Sequence, residues 1–465
     1  MKRASLIFQN GERFSLLLNE SGIPDFWTTL YLTTFYRSST QETMRSVSNV
    51  LVHFKIWENA QPLSFFEKIL KITEDAENEA NGNIQCPQFI NIAEAQSLAR
   101  HCKIKTVAAR RRLTKKNRGN VIDLEAAHPT SVLPDPVVSV KQQRQRLKII
   151  TEYLCFVVET SLRKRPHFAY YLDSADNLKK LLLKQKPKRQ GAKSSQSDPD
   201  KKAPPPEVFD EVMRLADPEC HYNPFTSLVR NRNYLMFQVL YETGMRAGEI
   251  LQLKVEDIEF TDQIINVVRR HDDPGDKWRS IEPNAKTEER ELPISFELSQ
   301  ALYNYIFNER RLLAEKLNHG FVFVSNKGPS IGTPMSLSQF SKMVLKVAKN
   351  ESLATYIESE GIKIDKHVTR HGFRHNFNKR LSEAVDQYNK KAISENRLND
   401  VISEKAEIDT RKYLLGHRSD KSGQVYNLRH TKEIAEKLHM KAIEEVSEKL
   451  KAMRQQVPGM DGKKV

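Results

Sequence analysis

The first third of the chain shows two different spacings of apolar residues, one typical of strands and one typical of helices. Between residues 6 and 18, apolar residues alternate with polar ones around an Asn10-Gly11 pair, which predicts a β-hairpin with a type I′ turn. Residues 23–57 and 140–158 instead carry apolar side chains at helical spacing, with cations such as Arg146 expected on the polar side of the second stretch. This part is therefore predicted to be mainly helical behind a short hairpin.

The second half of the chain mixes short β patterns with longer helical ones. Alternating or β-branched segments predict three strands. They are residues 264–269, 289–294 and 321–325. Helical spacing predicts several helices. They are residues 208–215, 232–242, a helix starting near 247, and most of the chain from 336 to a final amphipathic helix at 432–453. The predicted fold class is mainly α with a small antiparallel β-sheet.

A break in composition divides the chain. Residues 184–206 (KQKPKRQGAKSSQSDPDKKAPPP) are rich in Lys, Ser and Pro and nearly free of apolar residues, which is typical of an extended linker. We therefore predict an N-terminal region at 1–183, a linker at 184–206, a second domain at 207–454 and a disordered tail at 455–465.

The charge balance favours a polyanionic partner. The chain of 465 residues holds 74 Lys and Arg against 59 Asp and Glu, a formal net charge of +15, and nucleic acid is the usual partner of such a protein. No segment approaches the roughly 20 apolar residues of a membrane span, and the N-terminus lacks the apolar core of a secretion signal. We expect a cytoplasmic protein without a membrane partner.

Two further features concern the N-terminal region and its thiols. Residues 109–118 (ARRRLTKKNR) are strongly basic, and both a solvated helix face and a phosphate-contacting strip fit them. The four cysteines form no CxxC pair and are expected to be reduced thiols rather than disulfides or zinc ligands. They are Cys86, Cys102, Cys155 and Cys220.

Six side chains stand in short motifs of the second half. Arg246 lies in TGMRAGE, Lys286 in NAKTEERELPI, His371 and Arg374 in TRHGFRHNF, His417 in LLGH, and Tyr426 nine residues after His417. Taken singly, each motif also has a structural explanation. Arg246 could pair with Glu249 on one helix, Lys286 could be solvated, and Tyr426 could lie on a surface helix.

A metal site is a weaker interpretation of the histidines. His367, His371 and His375 have the i, i+4, i+8 spacing of a helix face, but no carboxylate or cysteine completes a ligand set. No P-loop motif GxxxxGK[ST] is present in the sequence. We therefore expect neither a metal nor a nucleotide cofactor.

In their order and spacing, the five motifs resemble those of the tyrosine recombinase (phage integrase) family of site-specific DNA recombinases, over residues 207–454. The resemblance implies a mixed α/β catalytic domain, and it suggests a helical core-binding (SAM-like) domain in the N-terminal region, which shows no diagnostic motif. It also implies that DNA strands are cut and rejoined through a covalent 3′-phosphotyrosine, without metal or ATP.

The resemblance assigns a role to each of the six residues. Tyr426 is the nucleophile, and a phenol with a pKa near 10 needs help to lose its proton, for which His371 is the candidate. Arg246 and Arg374 would clamp the scissile phosphate and His417 would donate a further hydrogen bond. Lys286 would protonate the leaving alkoxide as the general acid.

The resemblance also implies partners. These are double-stranded DNA and a homotetramer on two recombination sites, tied together by the C-terminal helix, and accessory DNA-bending or directionality proteins are compatible with that assembly. Association with the bacterial nucleoid is expected. Four apolar residues, spaced four positions apart, would form an apolar stripe along that helix. They are Ile434, Leu438, Ala442 and Val446.

One stretch departs from the family pattern. Between Arg374 and His417, residues 386–409 are long and polar, which predicts an inserted or extended helix. Two other functions remain open at this point. A topoisomerase-like enzyme would use similar groups to relax DNA, and a DNA-binding regulator could keep the fold without catalysis.

Overall fold

The chain divides into two structural units. In the computed structural model, the described residues are 1–79, 86–117, 136–188, 203–283, 287–364, 366–416 and 427–455, with only the backbone described for residues 79, 114–117, 404 and 427–436. One unit, called the N-terminal unit, consists of residues 1–8 and 13–192. The C-terminal unit consists of residues 9–12 and 193–465.

The N-terminal unit begins with the predicted hairpin. Strands β1 (Lys2–Ile7) and β2 (Arg13–Leu18) pair antiparallel, with Lys2 opposite Leu18 and Ile7 opposite Arg13. The type I′ turn is wrong, because residues 8–12 connect the strands and only Gly11 has a positive φ, of +86°. Asn10 instead accepts the Glu12 N–H through its side chain (3.0 Å), an alternative that Asn offers to tight turns.

Helices make up the rest of the N-terminal unit. They are α1 (Phe26–Tyr36), α2 (Gln41–Glu58), α3 (Phe65–Glu79), α4 (Ile92–Lys103), α5 (Thr106–Asn117), α6 (Val140–Leu162) and α7 (Phe168–Lys184). The predicted run at 23–57 is thus two helices, and the Thr40 hydroxyl caps the second of them. Helix α6 is central, since Ile150, Tyr153 and Leu154 are at most 2 % exposed. The basic residues 109–118 fall largely within α5, a helix.

The C-terminal unit is built from helices around a small sheet. Its helices are α8 (Pro206–Ala216), α9 (Ser227–Thr243), α10 (Ala247–Gln252), α11 (Phe296–Asn304), α12 (Arg311–Ala314), α13 (Leu337–Ala348), α14 (Glu351–Ser359), α15 (Arg370–Ser394), α16 (Glu404–Leu415) and α17 (Asn427–Gln455). A π-helical turn, Tyr305–Arg310, joins α11 to α12. The predicted fold class, mainly α with small antiparallel sheets, is confirmed.

The sheet has the order β3-β4-β5, with β3 (Ile258–Glu259), β4 (Ile264–Val267) and β5 (Arg290–Pro293) all antiparallel. The predicted pairing of the segments at 264–269 and 289–294 is confirmed. The predicted strand at 321–325 is wrong, because Phe321 and Val324 form only isolated bridges, to Lys254 and Pro334. This apolar run is buried without a neighbouring ladder, so its hydrophobicity reports burial rather than strand pairing.

The long polar stretch at 386–409 is accounted for by helices. Helix α15 continues to Ser394, a short turn follows, and α16 begins at Glu404. The prediction of an extended helix there is confirmed.

The C-terminal helix packs on its own unit. Leu438, Val446 and Leu450 of α17 are 3–7 % exposed and belong to the same core as α8, α9 and α15. Ion pairs from Lys451 to Glu297 (2.6 Å) and from Arg454 to Asp217 (3.0 Å) hold its end. Two residues of the predicted apolar stripe, Leu438 and Val446, thus cover the core of their own unit.

Among the described residues, no helix is both long enough and apolar enough to cross a membrane.

Candidate active site

A tight corner between α9 and α10 positions Arg246. Helix α9 ends at Gly244, whose φ of +61° is left-handed. A Cβ at Gly244 would lie 2.6 Å from the Phe377 ring, so both the backbone and the close approach of α15 require glycine. Arg246 follows as the N-cap of α10. The corner therefore rests against α15, the helix that carries His371 and Arg374.

A buried carboxylate lies behind this corner. Glu249 is 3 % exposed and accepts the backbone N–H of Arg246 (3.0 Å), the hydroxyl of Thr287 and the guanidinium of Arg290 (2.9 Å). The Arg246 guanidinium is 3.6 Å from the same carboxylate. Burial raises the pKa of Glu249, but Arg290 and these hydrogen bonds outweigh it and hold the pKa below its ordinary value.

Arg374 is a second buried cation of the site, beside Arg290. It is 4 % exposed, and its guanidinium donates to the carbonyls of Gly244 (3.0 Å) and Leu415. Burial and the neighbouring Arg246 cation lower the pKa of Arg374, while Glu249 opposes the shift. Three guanidinium groups thus surround one carboxylate, which leaves this site with an excess of positive charge that an anion would neutralise.

His371 lies on the first turn of α15, at the exposed edge of the same site. Burial and the cations of Arg374 and Arg246 lower the pKa of His371 below its ordinary 6.5. The imidazole is therefore neutral at pH 7 and able to accept a proton. Its ring contacts His375 edge to face, with 4.6 Å between centroids.

Arg290 joins the site to the end of α16. Its Nε donates to the Leu414 carbonyl (2.8 Å), its Nη2 to Glu249 (2.9 Å) and its Nη1 to the Glu288 carbonyl (3.3 Å). Gly416 caps α16 with φ +57°, and a Cβ there would lie 2.8 Å from Arg290 Nη1 and 2.9 Å from Thr287. The described part of the LLGH motif is thus fixed by two arginines, Arg290 on Leu414 and Arg374 on Leu415.

Of the six predicted site residues, the structure brings three together: Arg246, His371 and Arg374. Lys286, His417 and Tyr426 lie outside the described residues. Their chain neighbours Thr287 and Gly416 do contact the site.

Sequence reasoning missed two residues of this site, Arg290 and Thr287, and did not recognise Glu249 beyond its pairing with Arg246. The signal for Arg290 is its position on β5, where it shares the inward face with Leu292. An arginine on the apolar face of an alternating strand indicates a buried partner. The pairing of Arg246 with Glu249, proposed as a structural explanation, is present as well.

The metal interpretation of the histidines has no support in the geometry. His367 precedes α15, so the three histidines do not share one helix face. Among the residues with described side chains, no group of three His, Cys, Asp or Glu is placed to hold a metal ion.

Replacing Glu249 by Gln is expected to destabilise the C-terminal unit by about 3 kcal/mol at pH 7, because Arg290 would keep its buried charge without a carboxylate. The folded pKa of Glu249 is depressed from 4.5. Its contribution is therefore full above the unfolded pKa and is lost as pH falls through the folded pKa. Urea unfolding should show that the difference in unfolding free energy between wild type and variant becomes smaller below pH 4.5.

Glu256→Gln provides the matched control for this prediction. Glu256 is 67 % exposed and pairs with Arg270 at 3.2 Å. It should change the unfolding free energy by no more than about 1 kcal/mol. Equal effects of the two substitutions would show that Glu249 is not a buried counter-charge.

Comparison with known proteins gives a family match for the segment that contains Arg246, His371 and Arg374. Residues 210–394 match the model of the "Phage integrase family". The tyrosine recombinase XerD of Halalkalibacterium halodurans is 30 % identical over 183 residues, which is 39 % of this chain and 50 % of that protein. Transposase A of transposon Tn554 from Staphylococcus aureus is 28 % identical over 161 residues, 35 % of this chain and 37 % of that protein. The chain thus spans half or less of the length of these relatives.

Similar solved structures include the Tn1549 transposon integrase in complex with transposon right end DNA and the XerA recombinase. The match to the first covers 83 % of this chain and 99 % of the integrase chain, at 15 % identity and a TM-score of 0.37. The second covers 88 % and 97 %, at 16 % identity and a TM-score of 0.28. Likeness at this level does not carry function from one protein to another.

Proposed function

We propose that this chain is a site-specific DNA recombinase, because its residues 210–394 match the model of the phage integrase family. It would cut and rejoin DNA strands through a covalent 3′-phosphotyrosine. The observation that carries this proposal is the convergence of Arg246, Arg374 and His371 on a site with excess positive charge.

The proposed first step is attack of the Tyr426 phenolic oxygen on a backbone phosphorus. The new P–O bond joins the 3′ phosphate to tyrosine, and the bond from phosphorus to the 5′ oxygen breaks. Guanidinium groups of Arg246 and Arg374, with His417, would stabilise the charge on the non-bridging oxygens. His371 would accept the phenolic proton, because its lowered pKa keeps the imidazole unprotonated before the reaction. The energy of the phosphodiester is kept in the intermediate, so religation needs no ATP.

Lys286 would give a proton to the departing 5′ oxygen. The residues that flank residues 284–286 are held firmly. Glu282 is 5 % exposed and accepts the backbone N–H groups of Asp272 (3.2 Å) and Asp273 (3.3 Å). Thr287 is fully buried and donates to Glu249. Lys286 directly precedes Thr287, which contacts the carboxylate behind Arg246, and this neighbourhood supports the proposed role.

Double-stranded DNA is the proposed substrate, held by both units, and the proposed working form is a homotetramer on two recombination sites. Helix α17 packs on its own unit in the single chain. The same contacts would serve between neighbouring subunits, since an element that docks in its own protomer can dock in an identical one. Such an exchange would couple the subunits without a new interface. Action in the cytoplasm on nucleoid DNA, with accessory DNA-bending or directionality proteins, belongs to the same proposal.

A nicked duplex that loses a short fragment after cleavage tests the proposed function. Wild-type protein in EDTA should become covalently attached to a DNA 3′ end on a denaturing gel, because the released fragment cannot return for religation. The DNA is taken from the sequence flanking the gene. A protein that binds this DNA and never forms the adduct would instead be a regulator, and the proposal would fail.

A further inference from the structure

The N-terminal unit has an aromatic groove on its surface, between α1, α6 and α7. The volume of the groove is about 640 Å³. Four aromatic rings line it: Tyr31, Phe35 and Tyr36 from α1 and Phe156 from α6. Phe35 is 55 % exposed, although its ring packs edge to face on Phe156 with 5.5 Å between the centroids. The groove is therefore an apolar surface that the described part of this unit leaves in contact with water.

Contacts between the rings fix the shape of the groove. Tyr31 is 2 % exposed, and its ring centroid lies 5.4 Å from those of Phe35 and Phe156 and 5.6 Å from that of Tyr36. Burial and a hydrogen bond with Tyr36 raise the pKa of Tyr31, so its phenol is neutral. Because the rings already hold one another, a molecule that docks here loses little free energy in ordering them.

One end of the groove is positively charged. There Arg144 of α6 donates to the carbonyl of Pro187, just beyond the end of α7. Lys148 and Lys186 line the groove at this end, and burial together with the cations of Arg144 and Lys148 lowers the pKa of Lys186. Glu152 is 3.6 Å from Lys148 and balances one of the three cations. Lys148 and Lys186 are called the basic end of the groove.

The other end of the groove is negatively charged. The Cys155 thiol donates to the Ala175 carbonyl (3.6 Å), so α7 runs antiparallel to α6 at this point. Glu159, one turn further along α6, and Asp176 line the groove here, and both add to the burial that raises the pKa of Cys155 to about 12. Lys179 opposes that shift but balances only one of the two carboxylates. Glu159 and Asp176 are called the acidic end of the groove.

The charges and the walls of the groove select its occupant. Eleven residues of α6 separate Lys148 from Glu159, so the two ends are about 16 Å apart. A small apolar molecule would leave both ends unused, and a nucleic acid would be repelled at the acidic end. The walls are helices, so an extended strand would find no sheet edge here, whereas a helix satisfies its own backbone groups.

We propose that this groove binds an amphipathic helix of a partner protein. The helix would be about three turns long, with acidic side chains over the basic end of the groove and basic side chains over the acidic end. Apolar side chains spaced three and four positions apart would lie over the rings between the two ends. This docking site does not depend on the proposed recombinase chemistry, and it uses none of the residues of the candidate active site.

Two labelled peptides of identical composition test the proposal on the full chain. Each has about 12 residues, apolar side chains on one face, and a staple on the opposite face that makes the helix content of the two peptides equal. The polarised peptide carries Glu in its first turn and Lys in its last turn, whereas each end turn of the control peptide carries both. Fluorescence anisotropy should show that the polarised peptide binds about tenfold more tightly, because each of its ends meets opposite charge. Equal affinities, or no binding of either peptide, would overturn the proposal.

Phe35→Ala should weaken binding of the polarised peptide by about tenfold, because it removes an exposed ring from the middle of the groove. Phe26→Ala is the matched control. Phe26 lies on the same helix and is 66 % exposed, but it is not among the residues that line the groove. The control variant should keep the wild-type affinity, and equal losses in the two variants would overturn the proposal.

Reversal of the basic end gives a test that a folding defect cannot imitate. Lys148→Glu combined with Lys186→Glu should weaken the polarised peptide by about tenfold and should bind a third peptide, with Lys at both ends, about tenfold more tightly than the wild type does. Loss of the first peptide without this gain would overturn the proposal. If the groove instead binds a second copy of the chain, sedimentation velocity will show self-association that Phe35→Ala abolishes, and this result would overturn the proposal as well.

Discussion

Replacing Tyr426 by phenylalanine is expected to abolish the covalent protein–DNA adduct while the affinity for duplex DNA stays within about twofold of the wild type. Only the hydroxyl is lost, and that oxygen is the proposed nucleophile, so no other group can form the phosphotyrosine. The ring and the cationic site that would bind the phosphate are unchanged. The nicked duplex and a denaturing gel measure the adduct, and fluorescence anisotropy measures binding.

Tyr413→Phe is the matched control for this result. Tyr413 is the nearest other tyrosine in the chain and lies on α16, three residues before Gly416. Loss of its hydroxyl should cost about 1 kcal/mol of stability and leave the adduct in place. An adduct in the Tyr426 variant, or its disappearance in the Tyr413 variant alone, would assign the nucleophile to another residue.

Replacing Arg374 by lysine should reduce the rate of strand cleavage at saturating DNA by about 10²–10³-fold. Lysine keeps the charge but has no planar fork, so it cannot both hold the Gly244 and Leu415 carbonyls and offer the donors that the proposed phosphate contact needs. Single-turnover cleavage of the nicked duplex measures the rate, and thermal melting measures the accompanying loss of stability.

Arg380→Lys separates catalysis from stability. Arg380 is on the same helix, donates to the Tyr241 carbonyl and stacks on the Tyr241 ring, 3.9 Å from its centroid. Both substitutions should lower the melting temperature, since each removes a guanidinium that holds the main chain. Only the Arg374 variant should lose cleavage in the folded protein. Comparable losses of cleavage would make Arg374 a structural residue.

Local patterns in the sequence predicted the elements whose contacts are local. The N-terminal hairpin, the long α6 and the pairing of β4 with β5 follow from the spacing of apolar residues, and they are confirmed, although the type of turn in the hairpin is not. The strand predicted at 321–325 was wrong because a buried apolar run has the same sequence pattern whether or not a partner strand is present. The prediction that Arg146 lies on the polar side of its helix was wrong for the opposite reason. Its charge indicates an exposed position, but three groups distant in sequence accept its hydrogen bonds in the interior.

The candidate site likewise has a part that the sequence predicted and a part that it did not. Motif order predicted the family whose model residues 210–394 match, and it named the residues expected to touch the phosphate. It did not predict the Glu249–Arg290 pair behind them, because 41 positions separate the two residues. Contacts of that kind depend on which elements pack together, and no short motif contains this information.

One buried imidazole gives the C-terminal helix a direct connection to the strand of the site. His439 of α17 lies 2.7 Å from the Pro293 carbonyl at the end of β5, and burial lowers its pKa to about 4, so the neutral ring donates from Nε2. Arg290 begins the same strand. A helix that departs without replacement would leave a buried carbonyl unsatisfied, at a cost of about 1–3 kcal/mol. An assembly in which some subunits have lost their own helix without receiving another would therefore be less stable. Coupled binding free energies are reciprocal, so if helix docking increases the affinity of the site for phosphate, bound phosphate stabilises helix docking by the same free energy.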